Sequence, residues 1–314
     1  MNQLELSVRQ FVESLNLKKP LSELPIKDAR NFLELIQSTS IKKKEVEIKD
    51  FIIEDGKIKI RLIRPISCDQ EILPMIVYAH GGGWILGSKN THDRLIREIV
   101  SGTKSALIFV DYDRSPEETY PTAIIQTYVA MKYFVDQAFN YKLDTNRLVI
   151  MGDSVGGNIA TVVTMLANQF GYPKIHYQAL FYPVTDSEMD TNSYYKFKDG
   201  PWLTKESMEW FWNAYAPDKS IRQNFTLSPL RAPKNILAKL PPTLIITDEN
   251  DVLRDEGELY AHRLMEAGVD VFAIRIVGTM HDFLMINEIS NSLPTKEAMN
   301  IIIDTLNKVF WSID

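Results

Sequence analysis

Short, mainly apolar runs recur along this chain with helical stretches between them, and that rhythm restricts the fold more than any other feature. The runs cover residues 75–79, 106–110, 148–151, 179–182, 244–247 and 271–277. A strand with one face in water alternates apolar and polar residues; an unbroken apolar strand is buried on both faces, as in a parallel sheet covered by helices. The intervening segments 123–139, 155–170, 256–267 and 296–310 have helical character, the third stopped by Gly268. Strand and helix in alternation predict βαβ units around a largely parallel sheet, the α/β class. Ahead of them, Val46, Ile48 and then Ile58, Ile60, Leu62 alternate with polar residues around Asp55-Gly56, which predicts a hairpin.

Two parts of the chain break the rhythm. Leu4, Val8, Phe11, Val12 and Leu15 fall at helical spacing; after Pro20 and Pro25, Phe32, Leu33, Leu35 and Ile36 do so again. Two amphipathic helices are therefore expected before the first strand, either packed on the main domain or forming a lid. Between 185 and 227, Trp202, Trp210, Phe211, Trp212 and Tyr215 gather without strand alternation. This reads as an inserted helical segment that joins the N-terminal helices as a cap.

Composition removes several function classes. With 314 residues, 45% of them hydrophobic, the chain can bury a large core. A net charge of −6 argues against nucleic-acid binding, which needs a basic face, and Lys42-Lys43-Lys44 reads as a solvated linker. The single cysteine, Cys68, leaves no intramolecular disulfide, fits a reducing compartment and is expected in a loop. Residues 1–17 lack the basic head and apolar core of a signal peptide, and no stretch nears the ~20 apolar residues that span a bilayer. A soluble, cytoplasmic protein without membrane insertion is expected.

Ligands of parallel α/β sheets bind beyond the carboxyl ends of the strands, so chemistry is sought there. Past the run at 148–151 stands Gly152-Asp153-Ser154-Val155-Gly156, a serine displayed at a strand-to-helix turn with glycines relieving the crowding. Serine is a weak nucleophile without a base, and the base needs a carboxylate to fix its tautomer. His281, past the last run, and Asp251, past the one before, supply them. His80, His92, His176 and His262 are rivals in less favourable positions. Asp248 and Asp255 compete with Asp251, whereas Asp282, beside His281 on the chain, is expected to point elsewhere. An oxyanion formed by attack on a carbonyl needs donors, and the amides of Val155, Gly82 and Gly83 are the candidates. Gly82 and Gly87 have phosphate-loop spacing, but Ser88-Lys89 follows them in the wrong order. No two histidines sit at metal-ligand spacing on a helix, and no metal is expected.

Together these motifs make the chain resemble the bacterial hormone-sensitive-lipase-like esterases of the α/β-hydrolase fold. The likeness rests on His80-Gly81-Gly82-Gly83-Trp84, Gly152 to Asn158, Ser228-Pro229-Leu230-Arg231-Ala232, Asp251 to Gly257 and Gly278 to Phe283. It implies a mostly parallel eight-stranded sheet flanked by helices, with a catalytic domain at 46–184 and 228–314 and a cap from 1–45 and 185–227. It implies hydrolysis of small carboxylic esters without a cofactor, with Ser154, Asp251 and His281 as triad and Gly82, Gly83 and Val155 as oxyanion hole. Trp84, Trp202, Trp210, Phe211 and Tyr215 are the candidates for the pocket wall, and a compact aromatic cap favours short acyl chains. A homodimer through the last strand is a further implication. Amide or formamide cleavage by the same machinery, or a receptor that binds without catalysis, are the rival readings. Two departures stand out: Asp113 replaces the family's arginine after 106–110, and Asp282 occupies a position where glycine is common, either to tune the histidine or to face solvent.

Overall fold

The eight expected strands form one sheet in the computed structural model, which describes residues 3–15, 19–54 and 57–311. Strands β1 (Val46–Ile53) and β2 (Ile58–Pro65) pair antiparallel, Ile53 opposite Ile58. The Asp55-Gly56 turn expected between them lies outside the described residues. Then follow β3 (Leu73–Ala79), β4 (Ala106–Asp111), β5 (Leu143–Asp153), β6 (Tyr177–Phe181), β7 (Thr243–Asn250) and β8 (Val271–Met280). Their spatial order is β1-β2-β4-β3-β5-β6-β7-β8. Only the β1–β2 and β2–β4 pairs are antiparallel. Every residue of β3 and β6 is buried, as unbroken apolar runs require, whereas β8 lies at the edge and exposes Phe272 and Val277.

Helices α1 (Leu6–Ser14) and α2 (Ile26–Ile36) precede the sheet, and α3 (Asp93–Thr103) connects β3 to β4. α3 was not among the expected helices, although Leu95, Ile96, Ile99, Val100 and Thr103 give it a buried face. The helix expected over 123–139 breaks at Gln137 into α4 (Thr122–Asp136) and α5 (Ala138–Tyr141). The helix that follows the elbow, α6 (Val155–Phe170), is apolar around most of its circumference because it packs between the sheet and α4. Gly156 sits so close to β3 that a Cβ there would lie 2.1 Å from the Ala79 carbonyl oxygen, so a side chain would push α6 and its leading serine off the sheet.

Between β6 and β7 run α7 (Asn192–Lys196), α8 (Lys205–Tyr215) and α9 (Lys234–Leu237); α10 (Arg254–Glu266) and α11 (Leu293–Trp311) complete the chain. Where the chain leaves β6, the buried Glu256 Oε1 accepts the amides of Thr185 at 2.6 Å and Asp186 at 3.1 Å. α8 packs against the short helical turn Leu21–Glu23, and Ser22 Oγ donates to Glu206 at 2.7 Å. α2 is tied to the loops beside β3 and β4 by Arg30, which donates to Ile85 O, Ser115 O and the Glu117 carboxylate. The N-terminal helices and α8 thus meet above the carboxyl ends of the strands. Among the described residues no helix is long and apolar enough to cross a membrane.

Candidate active site

Ser154 occupies the turn between β5 and α6 with φ +55° and ψ −124°, a conformation costing a non-glycine residue about 1–3 kcal/mol. The elbow holds it there: its amide donates to Phe181 O at 2.8 Å, and its carbonyl accepts from Gly157 and Val184. His281 follows β8 and places Nε2 2.9 Å from Ser154 Oγ and Nδ1 2.7 Å from Asp251 Oδ2. The second oxygen of Asp251, just past β7, accepts the Leu253 amide at 3.0 Å, which fixes the carboxylate plane. With the Nδ1 proton directed at Asp251, Nε2 is left to accept the serine proton.

All three groups are almost fully buried. Burial pulls the His281 pKa down, but the charge of Asp251, then that of Asp282, and the Asp251 hydrogen bond outweigh it, leaving it raised to about 9. Asp248 is not the partner of the histidine. Neither of its carboxylate oxygens has a hydrogen-bond partner, and burial followed by the charge of Asp251 pushes it well above the usual carboxylate range. Asp255 is turned toward α7, where it accepts the Ser193 amide at 2.8 Å. His80 stacks on Tyr112 with ring centroids 4.2 Å apart, and His92 Nε2 meets Asp153 Oδ2 at 3.2 Å, so both belong to a buried polar layer under the glycine loop. Asp248, Asp251 and His281 each present one possible ligand atom within 4.8 Å of the others, and Asp251 and His281 are hydrogen-bonded to each other.

The glycine loop faces the serine. Gly82 and Gly83 have φ of +105° and +62° and line the same cavity as Ser154. Among the described residues no backbone carbonyl accepts the amides of Gly82, Gly83 or Val155. Three unpaired donors beside a nucleophile suit a developing oxyanion. The loop is pinned from below by Asp153 Oδ1, which accepts from Gly81 N at 3.1 Å and Tyr78 Oη at 2.7 Å. A Cβ on Gly83 would lie 2.2 Å from the Phe211 ring. Gly83→Ala is therefore expected to displace the loop or α8 and lower kcat for p-nitrophenyl butyrate about 100-fold, the cost of one oxyanion donor. Steady-state kinetics check this.

The cavity measures about 320 Å³ and is walled by Leu21, Phe32, Leu33, Leu86, Leu203 and Phe211 over Ser154 and His281. Of the aromatic candidates, Trp202 and Phe211 line it. Trp84, Trp210 and Tyr215 do not. Trp84 stacks on Tyr215 at 4.1 Å and packs on Trp212 at 4.8 Å, behind the glycine loop, and Trp210 packs on Phe211 at 5.0 Å. Leu21, Phe32 and Leu33 reach the cavity from the N-terminal region; helical spacing marked the last two as one apolar face without indicating its partner.

One further expectation is revised. Asp282 does not point away: with φ +65° the chain doubles back, and its carboxylate lines the cavity with Oδ1 3.5 Å from His281 Nε2. Asp113 is paired with Gln126, accepting its Nε2 and offering its own amide to Oε1, both at 2.8 Å. The neighbouring Arg114 reaches the glycine loop instead, donating to Gly87 O at 2.6 Å.

The alpha/beta hydrolase fold family profile matches residues 76–285. The crystal structure of a thermostable esterase from Pseudomonas putida ECU1011 superposes with a TM-score of 0.96 at 40% identity, over 100% of this chain and 99% of that one. A protein of Acanthamoeba polyphaga mimivirus, named for its alpha/beta hydrolase fold, is 41% identical over 302 residues, 96% of this chain and 87% of its own. An ethyl acetate hydrolase of Pseudomonas putida is 32% identical over 251 residues, 79% of this chain and 78% of its own. Strand order, elbow and profile agree, and the chain belongs to the α/β-hydrolase fold family, in its hormone-sensitive-lipase-like branch.

Proposed function

We propose that this α/β-hydrolase is a serine carboxylesterase acting on small esters with short acyl chains. The observation that carries the reading is the unbroken chain from Ser154 Oγ to His281 Nε2 and from Nδ1 to Asp251, at the floor of an apolar cavity. Esterase names among its relatives support carboxylic ester hydrolysis as the reaction. His281 takes the Ser154 proton as the oxygen attacks the ester carbonyl, and Asp251 stabilises the imidazolium. The oxyanion rests on the amides of Gly82, Gly83 and Val155. The Nε2 proton then leaves with the alcohol, and water, deprotonated by the same imidazole, cleaves the acyl-enzyme.

In this reading the N-terminal segment 1–45 and the insertion 185–227 act together as a cap. Leu21, Phe32 and Leu33 from the first and Leu203 and Phe211 from the second close the cavity at about 320 Å³, which suits a short acyl chain. Across p-nitrophenyl esters, kcat/KM is expected to fall at least about tenfold from butyrate to palmitate, as extra methylenes meet a closed wall. Faster turnover of palmitate would refute the short-chain assignment.

A further inference from the structure

The turn after β8 puts a second carboxylate on the catalytic imidazole. Asp282 Oδ2 accepts from Trp202 Nε1 at 2.9 Å, which ties the residue to the insertion between β6 and β7. Its Oδ1 is sealed from solvent, has no hydrogen-bond partner, and lies 3.5 Å from His281 Nε2. The ring therefore has a carboxylate at each nitrogen: Asp251 bonded at Nδ1, and Asp282 beside the nitrogen that also faces Ser154 Oγ.

We propose that Asp282, held by Trp202, is a positioning residue that stabilises the His281 imidazolium from the Nε2 side and thereby sets the lower pH boundary of the reaction. The inference rests on the reading of His281 as the base. A separation of 3.5 Å is too long for a strong hydrogen bond, so Ser154 keeps the Nε2 contact and Asp282 acts through its charge. An opposite charge within ~4–6 Å favours the ionised form of a group by about 1–3 pKa units. The serine proton passes to Nε2 and on to the leaving alkoxide oxygen, and Asp282 takes no proton at any step. It favours the cation that forms during attack, and it also makes the resting imidazole protonate at higher pH, where it ceases to be a base.

The surroundings agree with that assignment. Asp251 and Asp248 lie beside the ring at the end of β7, Tyr182 packs on it edge-on at 4.8 Å, and Asp153, bonded to Tyr78 and His92 in the layer beneath, adds its charge from farther off. Among these groups, the charge of Asp282 ranks directly after that of Asp251 in raising His281. Burial leaves the Asp282 carboxyl above its ordinary range, and the His281 charge is the largest influence pulling it the other way.

The φ of +65° selects the test, because asparagine tolerates the left-handed region where most side chains do not. In Asp282→Asn an amide oxygen can still accept from Trp202 while the charge beside Nε2 is gone. The measurement is kcat/KM for p-nitrophenyl butyrate against pH in the wild type, Asp282→Asn and Trp202→Phe. The apparent pKa of the acid limb is expected to fall by about 1–2 units in Asp282→Asn, and by less, in the same direction, in Trp202→Phe. The position of a limb does not depend on the fraction of folded protein. An Asp282→Asn limb coincident with that of the wild type overturns the inference. His281→Gln separates the two failures: retained activity there sinks the base reading itself, whereas an inactive His281→Gln with an unmoved Asp282→Asn limb sinks only the role of Asp282.

Discussion

Ser154→Ala is expected to lose p-nitrophenyl butyrate hydrolysis by roughly 10⁴- to 10⁶-fold in kcat, the scale on which serine hydrolases lose their nucleophile. The hydroxyl has one hydrogen-bond partner, His281 Nε2 at 2.9 Å, so its removal leaves no other buried group newly unpaired. Alanine at φ +55° is strained about as much as serine, and the backbone bonds of the elbow to Phe181, Gly157 and Val184 remain. The melting temperature should therefore stay within a few degrees of the wild type while activity disappears. A variant that keeps more than a trace of activity would show that some other group attacks the ester.

Asp251→Asn is the second large effect, expected to lower kcat by about 10⁴-fold, by analogy with the same change in a serine protease triad. An asparagine amide presented to Nδ1 would reverse the donor and acceptor roles, place the imidazole proton on Nε2 and leave nothing to accept from Ser154. The contrast with Asp248→Asn makes the experiment sharp. Asp248 has no hydrogen-bond partner, and burial followed by the charge of Asp251 favours its neutral form, of which the amide is a near-isostere. Its loss should change kcat less than about tenfold. If Asp248→Asn were the damaging change, the acid would be misassigned.

What could be read from the residues followed from how local each signal is. The apolar runs announce the sheet because burial on both faces leaves no room for polar alternation, and the glycines around Ser154 announce the elbow because they act within five residues. Position past a strand did not separate Asp251 from Asp248, since both follow the same apolar run; the resemblance pointed to Asp251, and the structure places its Oδ2 on His281 Nδ1. The orientation of Asp282 was not legible, since its departure from the expected direction depends on a single positive φ. Aromatic content foretold burial but not against what: Trp84 and Tyr215 stack on each other while Trp202 turns its ring nitrogen to Asp282. The N-terminal helices were expected to pack on the domain or cap it, but the contacts that dock them were not legible, because Arg30 finds its acceptors 55 to 87 residues away. Arg114, next to the position where the family's arginine is replaced by Asp113, donates to Gly87 O, a contact that sequence spacing does not announce.

If His281 activates Ser154 as a nucleophile, the serine should react with a p-nitrophenyl alkylphosphonate, and treating the native enzyme with this reagent, then measuring intact mass and mapping the modified peptide, reads that directly. One phosphonyl group per chain on Ser154, release of p-nitrophenol in equal amount, loss of activity in proportion to labelling, and no adduct in Ser154→Ala are expected. Complete inactivation with Ser154 unmodified, or an active enzyme that resists the reagent, would contradict that role of Ser154.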